Sequence, residues 1–199
     1  RDKELVYARK VTNKLKPEAE ARDTGDIAIG FRDGATELAT LEFRRDGKHQ
    51  SLGSFPANVG NPMIMYFYET VVRDMAESAG GSPFYIRNRV KDALIQTSDV
   101  VVGEAMLDGK TVTTETIRLY PFKDDRNAAQ MQGFGDLELR VTMSEAVPGW
   151  YMSLVAEAAG GEVYRSDDGG KSWTKHHDKP VGGSPHYYYG QIRVDPQDP

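Results

Sequence analysis

Between residues 61 and 95 apolar side chains return every three or four positions, interrupted once by Gly80-Gly81, and this pattern admits little besides two consecutive helices. Asn61 and Pro62 supply a cap and a first-turn proline. Ile64, Phe67, Val71 and Met75 then form one stripe, and the glycine pair stops it. Ser82-Pro83 repeats the start signal, and Ile86, Val90 and Ala93 or Leu94 form a second stripe. A helical hairpin or sharp bend is therefore predicted, and whatever surrounds it must bury two apolar faces.

Strand patterns flank this pair on both sides. Upstream, DIAIGF and TELATLEF are short apolar runs separated by Asp33-Gly34, and Asp46-Gly47 follows, which is the chemistry of tight strand connections. Downstream, VVVGEAM, the turn Leu107-Asp108-Gly109-Lys110 and TVTTETIRLYPF make a second hairpin. A polar loop over 123–135 leads to LELRVTM, whose Leu137, Leu139, Val141 and Met143 alternate with polar neighbours. Pro148-Gly149 then turns the chain into WYMSLVAEA. The expected class is α+β, an antiparallel sheet or sandwich with a two-helix insertion, followed by a hairpin-rich segment. Residues 1–25, with their KPEAEARD run, are expected as a polar, exposed lead-in or short helix; 26–158 as the α+β domain; and 160–199 as a separate unit beyond the small residues Ala159-Gly160-Gly161.

Composition narrows the function classes. A net charge of −5 and a pI near 5.4 argue against a general binder of nucleic acid or anionic membrane, which needs clustered cations. The absence of cysteine excludes disulfides, thiolate metal sites and thiol nucleophiles. The aromatic content is enough for a core despite a mean hydropathy of −0.57. The stretch from Pro62 to Met75 is too short and too charged to span a bilayer. The first residues lack an initiator methionine and a signal-peptide core, which suggests a processed or trimmed beginning.

The last forty residues carry a recognisable motif. Ser166, Asp168, Gly170, Ser172 and Trp173 match an Asp box: serine, any residue, aspartate, any residue, glycine, any residue, serine or threonine, then an aromatic. Asp168 suits acceptance of hydrogen bonds from the turn backbone, Gly170 a positive φ, and Trp173 a plug beneath the turn. With the strand from Tyr187 to Ile192 and the Asp195-Pro196 turn, residues 160–199 resemble one blade of the sortilin-like Asp-box (BNR-type) β-propellers. The resemblance implies a structural motif without a catalytic residue. One box does not close a propeller. A lone blade would pack on the preceding domain, complete another chain's sheet, or be the stub of a longer protein. Residues 60–94 are also similar to uncharacterised exported proteobacterial proteins, which implies a periplasmic or secreted address and no activity.

No constellation points firmly to chemistry. Asp167-Asp168 lacks the spacing of a calcium loop. His176, His177 and His186 form the one imidazole cluster, but adjacent residues on a strand face opposite ways, so no metal site is expected. Ser82, Arg87 and Arg89 at the second helix start are a candidate anion site. Gly-Gly-Ser-Pro is not a phosphate loop, no Gly-x-Ser-x-Gly elbow occurs, and Glu104 with Glu115 are expected to face each other as exposed acids. The expectation is a non-enzymatic, exported structural or binding module without cofactor, partnered through exposed blade strands with another protein chain, with no nucleic acid and no membrane span. The alternative is a fragment of an Asp-box propeller hydrolase or sortilin-like receptor.

Overall fold

The computed structural model describes residues 4–32, 37–96 and 98–158; for Arg32 and for 164–165, 174–175 and 188–194 it describes the backbone alone. The chain runs β1 (Leu5–Asn13), α1 (Pro17–Asp23), β2 (Gly25–Arg32), β3 (Leu38–Arg45), β4 (Lys48–Pro56), α2 (Met63–Ala79), α3 (Pro83–Ile95), β5 (Val100–Leu107), β6 (Lys110–Leu119), β7 (Glu138–Met143), β8 (Tyr151–Glu157), β9 (Tyr164–Arg165), β10 (Thr174–Lys175) and β11 (Tyr188–Val194). Nine strands form one antiparallel sheet in the order β4-β3-β2-β1-β11-β8-β7-β6-β5. Two four-stranded meanders, β1–β4 and β5–β8, are thus joined through β11, which pairs with β1 on one side and β8 on the other. This is the α+β architecture expected.

Asp33-Gly34 lies outside the described residues, and the other two Asp-Gly turns take the conformation their residues favour. Asp46 and Gly47 have φ of 50° and 72°, and Asp108 and Gly109 have 49° and 74°. Two successive positive φ values match the twist of a two-residue hairpin. Asn61 caps α2, its Oδ1 accepting from the Met63 N–H at 3.0 Å, and Gly80 ends the helix at φ 77°. Phe67, Val71 and Met75 are buried as the stripe requires, as are Ile86, Val90 and Ala93 on α3, whereas Leu94 is exposed. These helices cover one face of the sheet and bury Tyr7, Ile27, Ile29, Leu41, Leu139 and Leu154. The loop between β6 and β7 adds Phe122, Phe134 and Leu137 to the same core.

The lead-in expected at 1–25 is corrected. Residues 5–13 form a strand inside the sheet, with Tyr7 and Val11 almost wholly buried. Its alternation is hidden because Arg9 and Asn13 occupy two of the core-facing positions. Each is satisfied there. Asn13 donates to Ser78 Oγ at 2.7 Å, and Arg9 donates to Asp74 at 3.1 Å. The expected short helix is present as α1, with Pro17 in its first turn.

Ionisation follows from these pairings. Hydrogen bonds from Arg44, Arg87 and Arg22 hold Glu4, Glu69 and Glu77 below the usual carboxylate range, and His49 and Arg44 do the same for Glu42. Burial pushes Asp23 and Asp125 up, but Arg22 and Arg9 around the first, and the Asn127 N–H, Tyr85 and Arg89 around the second, bring both below it. A depressed carboxylate contributes stability above its unfolded pKa and loses it as pH falls through the folded one. Glu157 has the opposite sign: burial raises it against Arg140, so its contribution is present at low pH and lost as pH rises. With six groups against one, denaturant titrations are expected to show stability falling as pH drops from about 5 to about 3. Stability unchanged or rising over that window would contradict these pairings.

Candidate functional site

At one end of the sheet a cavity of about 680 Å³ opens between the starts of β1 and β8, the ends of β2 and β7, and the segment that enters α2. That volume lies within the range of small-molecule sites. Leu5, Ile29, Phe31, Met143, Trp150 and Tyr151 supply its large apolar and aromatic side chains. Glu4 is the single charged lining residue among the described residues, and its carboxylate accepts from Arg44 at 2.6 and 2.9 Å. A neighbouring cavity of about 520 Å³ shares Met143 and Trp150 and adds Thr113, Glu115, Ser144 and Glu145.

Local structure explains why Trp150 stands between the two. β7 and β8 slip register after Thr142, which pairs with Ser153, so that Met143 pairs with Tyr151. Such a bulge bends the strand and re-aims its side chains. The connecting loop is closed on itself, with the Ser144 N–H donating to the Trp150 carbonyl at 2.9 Å and the Trp150 N–H to that of Val147 at 2.9 Å. Ser144 Oγ ties it to the Thr113 carbonyl at 2.7 Å. Asn61 then locks the loop to the sheet, donating from Nδ2 to Tyr7 Oη at 2.7 Å and to the Gly149 carbonyl at 2.8 Å. Burial pushes the Tyr7 phenol up to about 12, so it stays neutral beneath the loop.

Trp150 pays two costs for this position. Its φ is 76°, a left-handed conformation that disfavours bulky residues, and its indole is 63% exposed. A large aromatic is thus held exposed on strained backbone over an apolar hollow.

The candidate anion site is not assembled. Ser82 caps the start of α3 without a side-chain hydrogen bond. Arg87 is paired with Glu69 on α2 through hydrogen bonds of 2.7 and 2.8 Å. Arg89 lies 3.1 Å from buried Asp125 and 3.3 Å from Asp92, and it lines a third, polar cavity of about 690 Å³ with Arg118, Lys123, Asp99 and Asp124. Both guanidinium groups are thus committed to carboxylates. Glu104 and Glu115 are not opposite: Glu104 pairs with Thr113 and Glu115 with Val102, two positions apart along the hairpin.

The Asp-box residues Ser166, Asp168, Gly170, Ser172 and Trp173, and His176, His177 and His186, lie outside the described residues. The strands flanking the box, β9 and β10, pair antiparallel, Thr174 with Arg165. The blade strand expected to offer an edge is β11, which is paired on both sides, so the described edges of the large sheet are β4 and β5. On β5, Val100, Val101 and Val102 are all exposed, which makes it the more open to strand pairing. Among the described residues no group of acidic or histidine side chains is placed to hold a metal, and no helix is long and apolar enough to cross a membrane.

The bulged, positive-φ loop that makes the cavity was missed in the sequence. Its one visible signal is Pro148-Gly149-Trp150, a turn followed by an aromatic residue.

No protein-family profile matches the chain, and no curated protein matches it. Among solved structures, the Mycobacterium tuberculosis lipoprotein LppX is similar at 10% identity, over 96% of this chain and 84% of that one, with a TM-score of 0.32. That score is too low to establish a shared fold.

Proposed function

We propose that this protein is a non-enzymatic binding module that takes a small molecule with an apolar body into the cavity between β1, β2 and the β7–β8 loop. The observation that carries the reading is Trp150, exposed and in left-handed conformation at the meeting point of two hollows. Bound apolar carbon would cover the indole and remove its surface from water, at about 25 cal/mol per Å². Placement outside the cytoplasm rests on the resemblance of residues 60–94 to exported proteins. The Asp-box kinship of residues 160–199 is likewise a proposal. Pairing of β9 with β10 around the box supports a hairpin there, and the seat of β11 between β1 and β8 favours a role in this chain's own sheet over a propeller disc.

The test is a titration with N-phenyl-1-naphthylamine, a neutral apolar dye that brightens out of water. Saturable binding is expected, with Trp150→Ala weakening it roughly tenfold or more while thermal stability is kept, because the exposed indole contributes little to the core. Absence of saturable binding, or equal affinity in the variant, would remove the proposal.

A further inference from the structure

The two hollows differ in charge. Among the described residues the apolar one has a single charged lining residue, Glu4, already neutralised by Arg44. The second is lined by Glu115 and Glu145 and, among the described residues, by no lysine, arginine or histidine. Glu115 projects from β6 opposite Met143, and Glu145 follows Ser144 in the loop that Trp150 closes. Glu4, Glu42, Glu138 and Glu157 each have an arginine within salt-bridge reach, whereas the second hollow places its two acids beside Trp150 and Met143.

We infer that the two hollows form one site for a cationic amphiphile, with its apolar tail against Leu5, Ile29 and Phe31 and its ammonium head between Trp150 and the carboxylates of Glu115 and Glu145. The inference deepens the binding reading above and rests on it. Three features of the second hollow select a cation. The carboxylates attract it, the indole face is the best aromatic partner for an ammonium or quaternary ammonium group, and among the described residues no cationic lining residue competes. An anionic head in the same place would meet two like charges, and a neutral one would gain neither attraction.

Displacement of bound N-phenyl-1-naphthylamine by ten-carbon ligands separates these outcomes. Decyltrimethylammonium is expected to displace the dye at a concentration roughly tenfold or more below that of decanoate, with 1-decanol between them. The chain's own charge of −5 attracts cations everywhere, so the location is decided by variants. Glu115→Gln with Glu145→Gln should abolish most of the preference while the dye still binds. Glu18→Gln with Asp46→Asn, the same charge change on exposed residues away from the hollow, should preserve it. Dye binding with no preference among the three ligands, or a preference that survives Glu115→Gln with Glu145→Gln, overturns the cationic head and leaves the apolar site standing. Failure of the dye to bind overturns both.

Discussion

Asp74→Ala is expected to destabilise the fold by about 3 to 5 kcal/mol, the cost of leaving a buried charge without its partner. For a chain of this length that corresponds to a fall in Tm of roughly 10 °C. The Asp74 side chain is 2% exposed and that of Arg9 is 4% exposed, in the interior between α2 and β1. Asp74 Oδ2 accepts from Arg9 Nη2 at 3.1 Å, and its Oδ1 accepts from Arg73 at 3.1 and 2.9 Å. Without Asp74, the nearest described carboxylate to Arg9 is Asp23, at 3.9 Å. That distance, and the claim of Arg22 on Asp23 at 2.8 Å, makes it a poor substitute. The paired variant Arg9→Leu with Asp74→Leu should recover most of the loss, since an apolar pair of similar volume avoids the desolvation of both charges. Urea unfolding of the single and double variants checks both statements. A loss below about 1 kcal/mol for Asp74→Ala, or strictly additive single effects, would mean that the ion pair does not hold α2 to the sheet.

Gly149→Ala should cost about 2 to 4 kcal/mol and weaken dye binding at the same time. Part of this is backbone, because Gly149 has φ 75°, where any Cβ meets the following carbonyl. The larger part is overpacking: an added Cβ would stand 2.6 Å from Leu5 Cδ1, 2.8 Å from Asn61 Nδ2 and 3.0 Å from Tyr7 Oη. Gly47 separates the two effects. It has φ 72° with nothing within 4 Å of its would-be Cβ, so Gly47→Ala should cost only the backbone part, about 1 kcal/mol. Thermal melts of both variants, followed by dye titration, give the comparison. Equal costs at the two glycines would show that the loop yields, and that Asn61 and Tyr7 do not fix Trp150 over the cavity.

Local signals carried most of the element pattern. The α2 and α3 stripes, the glycine stop between them and the two Asp-Gly turns are all properties of neighbours within seven residues, where period and steric preference act directly. β1 escaped because a strand is recognised by alternation, and Arg9 and Asn13 break it at positions whose burial depends on Asp74 and Ser78, 65 residues away. The same logic explains the candidate anion site. Ser82, Arg87 and Arg89 share a helix start in the sequence, but Glu69 and Asp125 reach the two arginines from other elements.

The apolar cavity was legible only as parts. Leu5, Ile29, Met143 and Tyr151 belong to four different strands, and nothing in their spacing announces a common wall. What the amino-acid sequence determined by itself is the class of fold: two helices inserted between antiparallel hairpins, in a chain without cysteine. What tertiary structure decided is the joining of two meanders through β11, the burial of Arg9 against Asp74, and the position of Trp150. Each of these depends on pairings between residues far apart in the chain, and a one-residue slip between β7 and β8 is enough to turn an ordinary strand start into the rim of a cavity.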